Sequence, residues 1–301
     1  MKIKKKADMW MGISIALLLI YGLFMIYPLF KMLVQSVFDN KTGELTMRYF
    51  RQFFEDNYYL STLFNSFKVS ICATALTLLF GVPLAYIYNL YEIKGRNFLQ
   101  IMIILCSMSA PFIGAYSWVL LLGRAGLITK LMKTLFGIKM PSIYGFGGIL
   151  LVLSTKLFPL VFLYVSGALK NVDNSLLEAS ANMGCKGVKR FFKVVIPLCM
   201  PSILAAGLMV FMRSMADFGT PLMIGEGYRT FPVEIYRQYV GEAGTNYNFA
   251  AAISVVAVVI TAVIFLIQKY ASNRFSFTMN ALHPIERKKP KRLAGILMHI
   301  Y

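Results

Sequence analysis

The sequence predicts an all-α integral membrane protein with six transmembrane helices, and two observations support this prediction. Hydrophobic residues make up 58% of the 301 residues and charged residues only 15%, whereas soluble domains carry about a quarter of their residues as charges. The apolar residues also form long segments that are nearly free of charge and are separated by basic loops. So few charges cannot coat a water-soluble particle, which excludes a soluble enzyme, a soluble nucleic-acid binder and a disordered chain.

Six segments are long enough to be transmembrane helices, because about 20 apolar helical residues cross the hydrocarbon core of a bilayer. The predicted spans are residues 9–34, 63–90, 97–122, 143–169, 194–217 and 246–269. Lysines precede the first span, as they precede the apolar core of a cleaved signal peptide. Its uncharged run is longer than such a core and no small-x-small cleavage site follows it, so we interpret it as a retained helix.

The orientation of the helices follows from the distribution of Lys and Arg, which number 31 against 13 acidic residues. With a cytoplasmic N-terminus, the cytoplasmic segments hold 18 basic residues and the external segments hold 9. Cytoplasmic loops of membrane proteins collect Lys and Arg, so the sequence predicts a cytoplasmic N-terminus, although residues 124–139 are basic on the external side. This topology accounts for most of the net charge of +18, and we expect no nucleic-acid partner.

The predicted six-helix domain covers residues 1–272, and a basic linker of residues 273–301 follows it. The linker contains the charged cluster Glu286–Arg292 and then the apolar run Leu293–Tyr301, the same order of basic and apolar residues that opens the chain. These nine apolar residues are too few to cross a membrane. Two interpretations remain: the run starts a second, similar repeat, or it is a short tail at the membrane interface.

The loop between the fourth and fifth spans carries the strongest motif in the chain. Ser175 and Glu178 have the spacing of a capping box, in which the serine caps a helix start and the glutamate bonds back to its amide. Small residues follow Glu178, and Gly184 can end the helix with a positive φ angle. The loop therefore predicts a short, exposed, small-faced helix suited to docking in a partner's groove; an ordinary capped connector is the alternative.

This loop resembles the signature of the permease subunits of ATP-binding cassette (ABC) importers: Glu-Ala-Ala, three residues, Gly, nine residues and Ile-x-Leu-Pro. Its Glu-Ala-Ser sequence and Gly184 match with one Ala-to-Ser change, and Val194, Ile196 and Pro197 fill the final element at the same spacing. The resemblance implies the type I ABC importer permease fold and identifies this loop as the coupling helix that the ATPase subunit holds. The residues it assigns to coupling are Ser175, Glu178, Ala179, Ser180, Gly184 and Pro197.

The same resemblance implies partners and a location. A cytoplasmic dimer of ABC ATPase subunits would bind ATP and Mg, so this chain would hold no cofactor itself. An extracytoplasmic solute-binding protein would deliver solute to the outer loops 38–60, 124–139 and 219–242. A second permease half, fused or separate, would complete the translocation path. The chain would lie in the bacterial plasma membrane with lipid around its spans.

Two further segments resemble the ferric-iron branch of these permeases. They are Asp217–Pro221, which reads Asp-Phe-Gly-Thr-Pro, and Glu234–Arg237, which reads Glu-Ile-Tyr-Arg. Many members of this branch fuse two six-helix halves, which favours the second-repeat interpretation of residues 293–301. The resemblance therefore implies import of ferric iron. Permeases for phosphonates, thiamine and polyamines share parts of these segments and remain alternatives.

Three ionisable residues within spans are candidates for the translocation path, because charges are costly in hydrocarbon. Lys156 lies near the middle of the fourth span, where it would meet an anionic solute or chelate. Its alternative role is to pair with a nearby carboxylate or backbone carbonyl. Arg213 and Asp217 are four residues apart on one helix face, so the sequence favours a structural pair between them.

The chain offers no catalytic or metal-binding constellation. Its four cysteines have no paired spacing, its two histidines lie near the C-terminus, and it has no Gly-x-x-x-x-Gly-Lys-Ser/Thr loop. We therefore expect ATP to be hydrolysed by a partner, with no catalytic residue and no metal ligand here. A membrane-embedded enzyme would need carboxylates or histidines at membrane depth, and an ion-driven secondary carrier would leave the Glu178 motif unexplained.

Overall fold

The computed structural model describes residues 9–39, 43–108, 110–138, 141–241 and 246–274. Residues 275–301 lie outside this part, and with them most of the predicted basic linker, its apolar run and both histidines. The lysines before the first span lie outside it as well. The described residues are helical, apart from loops and an isolated antiparallel bridge between Phe38 and Leu45.

The helices of the described residues alternate between long apolar elements and short connecting ones. In chain order they are α1 (Met9–Tyr21), α2 (Tyr27–Val37), α3 (Arg48–Glu55), α4 (Asn57–Leu90), α5 (Arg96–Ser107), α6 (Pro111–Leu122), α7 (Leu127–Phe136), α8 (Phe146–Lys170), α9 (Asn174–Asn182), α10 (Gly187–Arg190), α11 (Ile196–Met215), α12 (Gly219–Ile224), α13 (Phe231–Val240) and α14 (Tyr247–Arg274). One π-helical turn joins α1 to α2 and another joins α10 to α11.

Six helical segments of the described chain are long and apolar enough to cross a membrane. They are Met11–Val37, Asn57–Leu90, Phe112–Phe136, Phe146–Lys170, Gly187–Met215 and Tyr247–Ile267. Their number and helical character confirm the predicted all-α membrane fold.

The third predicted span differs from the structure. The sequence predicts one span over residues 97–122, but α5 ends at Ser107 and α6 begins at Pro111. The cause is Pro111, which lacks an amide hydrogen and disfavours helical geometry in the preceding residue. Ala110 is accordingly extended, with φ −64° and ψ 144°. The predicted outer loop 124–139 also contains a helix, α7, so the third spanning segment is built from α6 and α7.

The chain divides into two compact units, of which the larger comprises the described residues of Ser61–Val233 and Ala262–Tyr301. Its core forms where α4, α8 and α11 pack together through buried aliphatic and aromatic side chains. The helices α4 and α8 approach closely at Gly81. A Cβ atom added to this residue would lie 2.8 Å from the Val161 side chain. A buried hydrogen bond from Asn89 Nδ2 to Ser166 Oγ, 3.0 Å long, joins the same two helices.

The smaller unit comprises the described residues of Met1–Leu60 and Glu234–Thr261. Its centre is the buried carboxylate of Glu234, which accepts hydrogen bonds from Tyr58 Oη at 3.0 Å and Gln238 Nε2 at 2.9 Å. Tyr59 packs edge-on against Phe249 with ring centroids 4.8 Å apart. The acidic residue of the Glu-Ile-Tyr-Arg segment is therefore satisfied by neutral donors in this unit, a role that its sequence does not indicate.

Candidate functional site

The loop between α8 and α11 contains the predicted short helix, but its start is capped differently from the prediction. The helix α9 begins at Asn174, one residue before the predicted serine cap, and Asp173 is the capping residue. The Asp173 carboxylate accepts a hydrogen bond from the Ser175 amide at 2.9 Å. Glu178 accepts from Asn174 Nδ2 at 2.8 Å instead of bonding back to the Ser175 amide. The capping-box assignment was wrong because an aspartate two residues before Ser175 caps at least as well.

The end of α9 confirms the prediction made for Gly184. This residue has φ +79°, in the left-handed region that glycine occupies without steric cost. The Cys185 amide donates to the Ser180 carbonyl at 2.9 Å and the Gly184 amide donates to the Ala181 carbonyl at 3.1 Å. These two bonds form a Schellman motif, which satisfies the last carbonyls of the helix and turns the chain sharply.

The two faces of α9 have different environments. Leu177 and Ser180 are buried, and the Ser180 hydroxyl donates to the Leu177 carbonyl at 2.8 Å. Glu178 and Ala179 are exposed on the other face. Met183 just after the helix is 81% exposed. A short helix that is anchored by one face and presents a small, partly apolar surface on the other is suited to docking into a partner.

The loop between α8 and α11 also contains a buried arginine, which its sequence does not distinguish from the basic residues around it. Arg190 ends α10 and is 8% exposed, and its Nε has no hydrogen-bond partner among the described residues. Burial raises the pKa of the Tyr91 hydroxyl, Tyr86 adds to the rise, and the charge of Arg190 opposes it. Pro197 lies in the first turn of α11, directly after the π-helical turn that joins α10 to α11.

A charged cavity of about 420 Å³ lies among α5, α6, α8, α11 and α12. It brings together all three ionisable residues that the sequence placed on the translocation path. Lys156 Nζ donates to Asp217 Oδ2, and both side chains of this ion pair are largely buried. Among the described residues, Ser107 is the remaining polar side chain of the wall, and the other lining residues are Phe112, Leu157, Leu160, Ala216, Phe218 and Gly219.

Asp217 has a different partner from the one that its sequence spacing favours. Its carboxylate contacts Lys156 of α8 and also accepts the Thr220 amide at 2.9 Å, which caps the start of α12. Arg213 lines the same cavity with an exposed side chain and forms no ion pair within the described residues. The predicted Arg213–Asp217 pair is therefore wrong, because the carboxylate lies beyond the end of α11 and turns toward α8.

The cavity carries two cationic side chains and one carboxylate, and its other walls are mainly apolar. Phe112 and Phe218 pack edge-on at one side, with ring centroids 5.3 Å apart. Across the described residues, no group of three or more His, Cys, Asp or Glu side chains could hold a metal ion. The arrangement can hold a small polar solute by charge and shape.

Residues 77–277 match the profile of a protein family described as "Binding-protein-dependent transport system inner membrane component". The match covers more than half of the chain and includes α9 and all three charged residues of the cavity. The chain belongs to this family. The chain is therefore an inner membrane component of the binding-protein-dependent kind, called the permease below, in agreement with the resemblance of its loop motif.

Relatives of the permease are named for different substrates. The ferric transport system permease protein FbpB of Actinobacillus pleuropneumoniae is 28% identical over 273 residues, which are 89% of this chain and 39% of that protein. The putative 2-aminoethylphosphonate transport system permease protein PhnU of Salmonella typhimurium is 25% identical over 261 residues, 85% of this chain and 90% of that protein. The permease thus spans about two fifths of the length of its ferric relative and nearly all of its phosphonate relative.

Solved structures support the fold of the permease. A chain of a bacterial ABC transporter involved in the import of the acidic polysaccharide alginate superimposes with a TM-score of 0.71 at 18% identity. The superposition covers 88% of the permease and 95% of that chain. A second structure of an alginate transporter, in complex with a periplasmic protein, gives the same TM-score. At this level of identity the likeness establishes the fold alone.

Proposed function

We propose that the permease forms part of the translocation path for ferric iron in an ABC importer of the bacterial plasma membrane. The observation that carries the coupling role is α9, which combines the Glu178–Gly184 motif with an anchored face and an exposed face. A separate cytoplasmic ATPase dimer would bind ATP and Mg and hold this helix. This arrangement requires the loop to be cytoplasmic, and with it the N-terminus, as the distribution of basic residues predicts.

The proposed mechanism is alternating access. Closure of the ATPase dimer on ATP would displace α9, and the buried residues Leu177 and Ser180 would transmit this movement to the α4, α8 and α11 core in which Leu177 packs. The charged cavity would form part of the path. Solute would arrive from an extracytoplasmic binding protein, and a second permease half, fused to this chain or separate, would complete the pore.

Ferric iron is the proposed substrate because the ferric transport system permease protein FbpB matches 89% of this chain at 28% identity. A phosphonate is the second candidate, since the phosphonate relative matches 85% of this chain at 25% identity. Each of these two substrates is proposed for the complete importer, of which this chain would form one part.

Uptake of radiolabelled ferric iron in iron-starved cells tests this proposal. We expect deletion of the gene to abolish the ATP-dependent part of uptake, and a plasmid copy to restore it. Uptake of labelled 2-aminoethylphosphonate, measured in parallel, is the matched control. Loss of phosphonate uptake with iron uptake intact would replace iron by the second candidate, and loss of neither would contradict both.

A further inference from the structure

We infer that the charged cavity binds its solute through anionic carboxylate or phosphonate oxygens, so that iron passes this permease as an anionic chelate. The inference deepens the proposed function, since it names the chemical form of the substrate at a site on the proposed path. Its first support is the balance of charge around the cavity.

The cavity has a net positive charge of one unit that no carboxylate of the described chain neutralises. Lys156 and Asp217 neutralise each other as a largely buried ion pair. The guanidinium of Arg213, which lines the same cavity, has no carboxylate within ion-pair distance among the described residues. Arginine presents planar paired donors that match the geometry of carboxylate and phosphonate oxygens. The ligand that would neutralise the remaining positive charge of the cavity is therefore an anion.

The apolar walls strengthen this preference. Phe112, Leu157, Leu160 and Phe218 line the cavity together with the charged groups. Apolar walls lower the local dielectric constant, and the interaction of two charges grows in inverse proportion to it. The Arg213 side chain is itself exposed, so this strengthening applies to an anion that lies between the guanidinium and the apolar walls. A cation at that position is repelled more strongly. A polyamine, which carries several positive charges, is disfavoured for the same reason.

The oxygen atoms of the cavity do not suit a bare ferric ion. A small, hard cation requires several oxygen ligands, and Asp217 is the single carboxylate among the described residues of the wall. Both of its oxygens are engaged, one by Lys156 and the other by the Thr220 amide. The Ser107 hydroxyl donates to the Ile104 carbonyl at 2.6 Å. The volume of about 420 Å³ is that of a small-molecule site, within the usual range of about 300–1,000 Å³.

The same geometry suggests how an anion engages Lys156. An oxygen that approaches Lys156 competes directly with Asp217, whose other oxygen still caps α12. Replacing Asp217 by Asn removes the competing charge but retains the oxygen that accepts the Thr220 amide. The two charged positions therefore predict effects of opposite sign on anion affinity. A cation site would give the reverse pattern.

Equilibrium dialysis of the purified full chain in detergent tests the inference. The probes are iron-55 as ferric citrate, carbon-14 citrate, carbon-14 2-aminoethylphosphonate and carbon-14 spermidine. We expect Arg213→Gln to weaken binding of the anions about tenfold or more and Asp217→Asn to tighten it several-fold, as loss of a positive or a negative charge near the ligand requires. Lys94→Gln, which removes an exposed positive charge outside the cavity, should leave binding unchanged.

Tighter binding in Asp217→Asn cannot result from misfolding, which keeps the test decisive. Binding of ferric citrate and citrate with this pattern supports the anionic chelate. Binding of the phosphonate alone supports the anion site and overturns the chelate. This result would agree with a deletion strain that loses phosphonate uptake and keeps iron uptake. Failure of all three anions to bind, equal loss in both cavity variants, or saturable binding of spermidine at this cavity would overturn the inference.

Discussion

At the scale of single residues, Gly184 shows how backbone geometry fixes the shape of the coupling loop. Its φ of +79° closes the Schellman motif at the end of α9. An added Cβ atom would find no heavy atom within 4 Å. Any effect of substitution therefore arises from the left-handed backbone and not from a clash with neighbouring side chains.

We predict that Gly184→Val uncouples transport while the protein stays in the membrane. A β-branched residue disfavours the left-handed conformation by about 1–2 kcal/mol, so α9 would end differently and lose its orientation toward the ATPase. The measurement is solute uptake, together with the amount of permease in isolated membranes. We expect uptake to fall at least several-fold at an unchanged amount of protein.

Gly184→Asn provides the matched control, because asparagine adopts the left-handed region more readily than other non-glycine residues. We expect this variant to keep most of the uptake. Equal loss in both variants would indicate that side-chain volume at this position matters, contrary to the backbone explanation. Normal uptake in Gly184→Val would contradict the role proposed for the loop.

At the scale of secondary-structure elements, the close approach of α4 and α8 organises the larger unit. Gly81 has no space for a side chain, since its Cβ would lie 2.8 Å from Val161 Cβ and 3.3 Å from the Phe158 carbonyl oxygen. The Asn89–Ser166 hydrogen bond fixes the same pair of helices nearer the end of α4. Small residues allow transmembrane helices to approach in this way.

Gly81→Ala should lower the thermal stability of the purified permease in detergent. The added methyl group overpacks the α4–α8 contact, and overpacking costs about 1–3 kcal/mol. Gly167→Ala is the matched control, because this glycine lies in α8 with no atom near its Cβ position. We expect the midpoint of unfolding to fall in the first variant and to stay equal or rise in the second. A fall of equal size in both would refute the packing explanation.

At the scale of the whole molecule, the proposed orientation places α9 and the loop between α7 and α8 on opposite sides of the membrane. Ser175 and Ser142 are exposed residues in these two segments. The four native cysteines can be replaced first, since none of them forms a disulfide within the described residues. A single introduced cysteine then reports which side of the membrane each segment faces.

We predict that a membrane-impermeant maleimide labels Ser142→Cys in intact spheroplasts. Ser175→Cys should be labelled only after the membrane is permeabilised. Gel-shift or mass measurement of the labelled protein gives the result, and labelling after permeabilisation controls for reactivity. The reverse pattern would invert the proposed topology and remove α9 from contact with a cytoplasmic ATPase.

The all-α membrane class, most of the helices and the end of α9 could be predicted from the sequence, because each depends on local or compositional properties. Long uncharged runs define spanning helices wherever they pack. The left-handed turn at Gly184 follows from the residue itself. The break before α6 is encoded locally as well, because Pro111 disfavours helical geometry in the residue before it.

The sequence by itself determined that the chain is an all-α membrane protein, with six spans within its described residues, and its motif marked the loop for which we propose the coupling role. Only the tertiary structure decided which charges meet. Lys156 and Asp217 are 61 residues apart in the chain and form an ion pair, while Arg213, one helical turn from Asp217, remains unpaired within the described chain. Spacing along one helix predicts contacts on that helix, but partners on different helices depend on how those helices pack. The sequence alone already suggested an anionic solute at Lys156. That Arg213, and not Lys156, carries the positive charge left without a carboxylate could not be deduced before the fold was known.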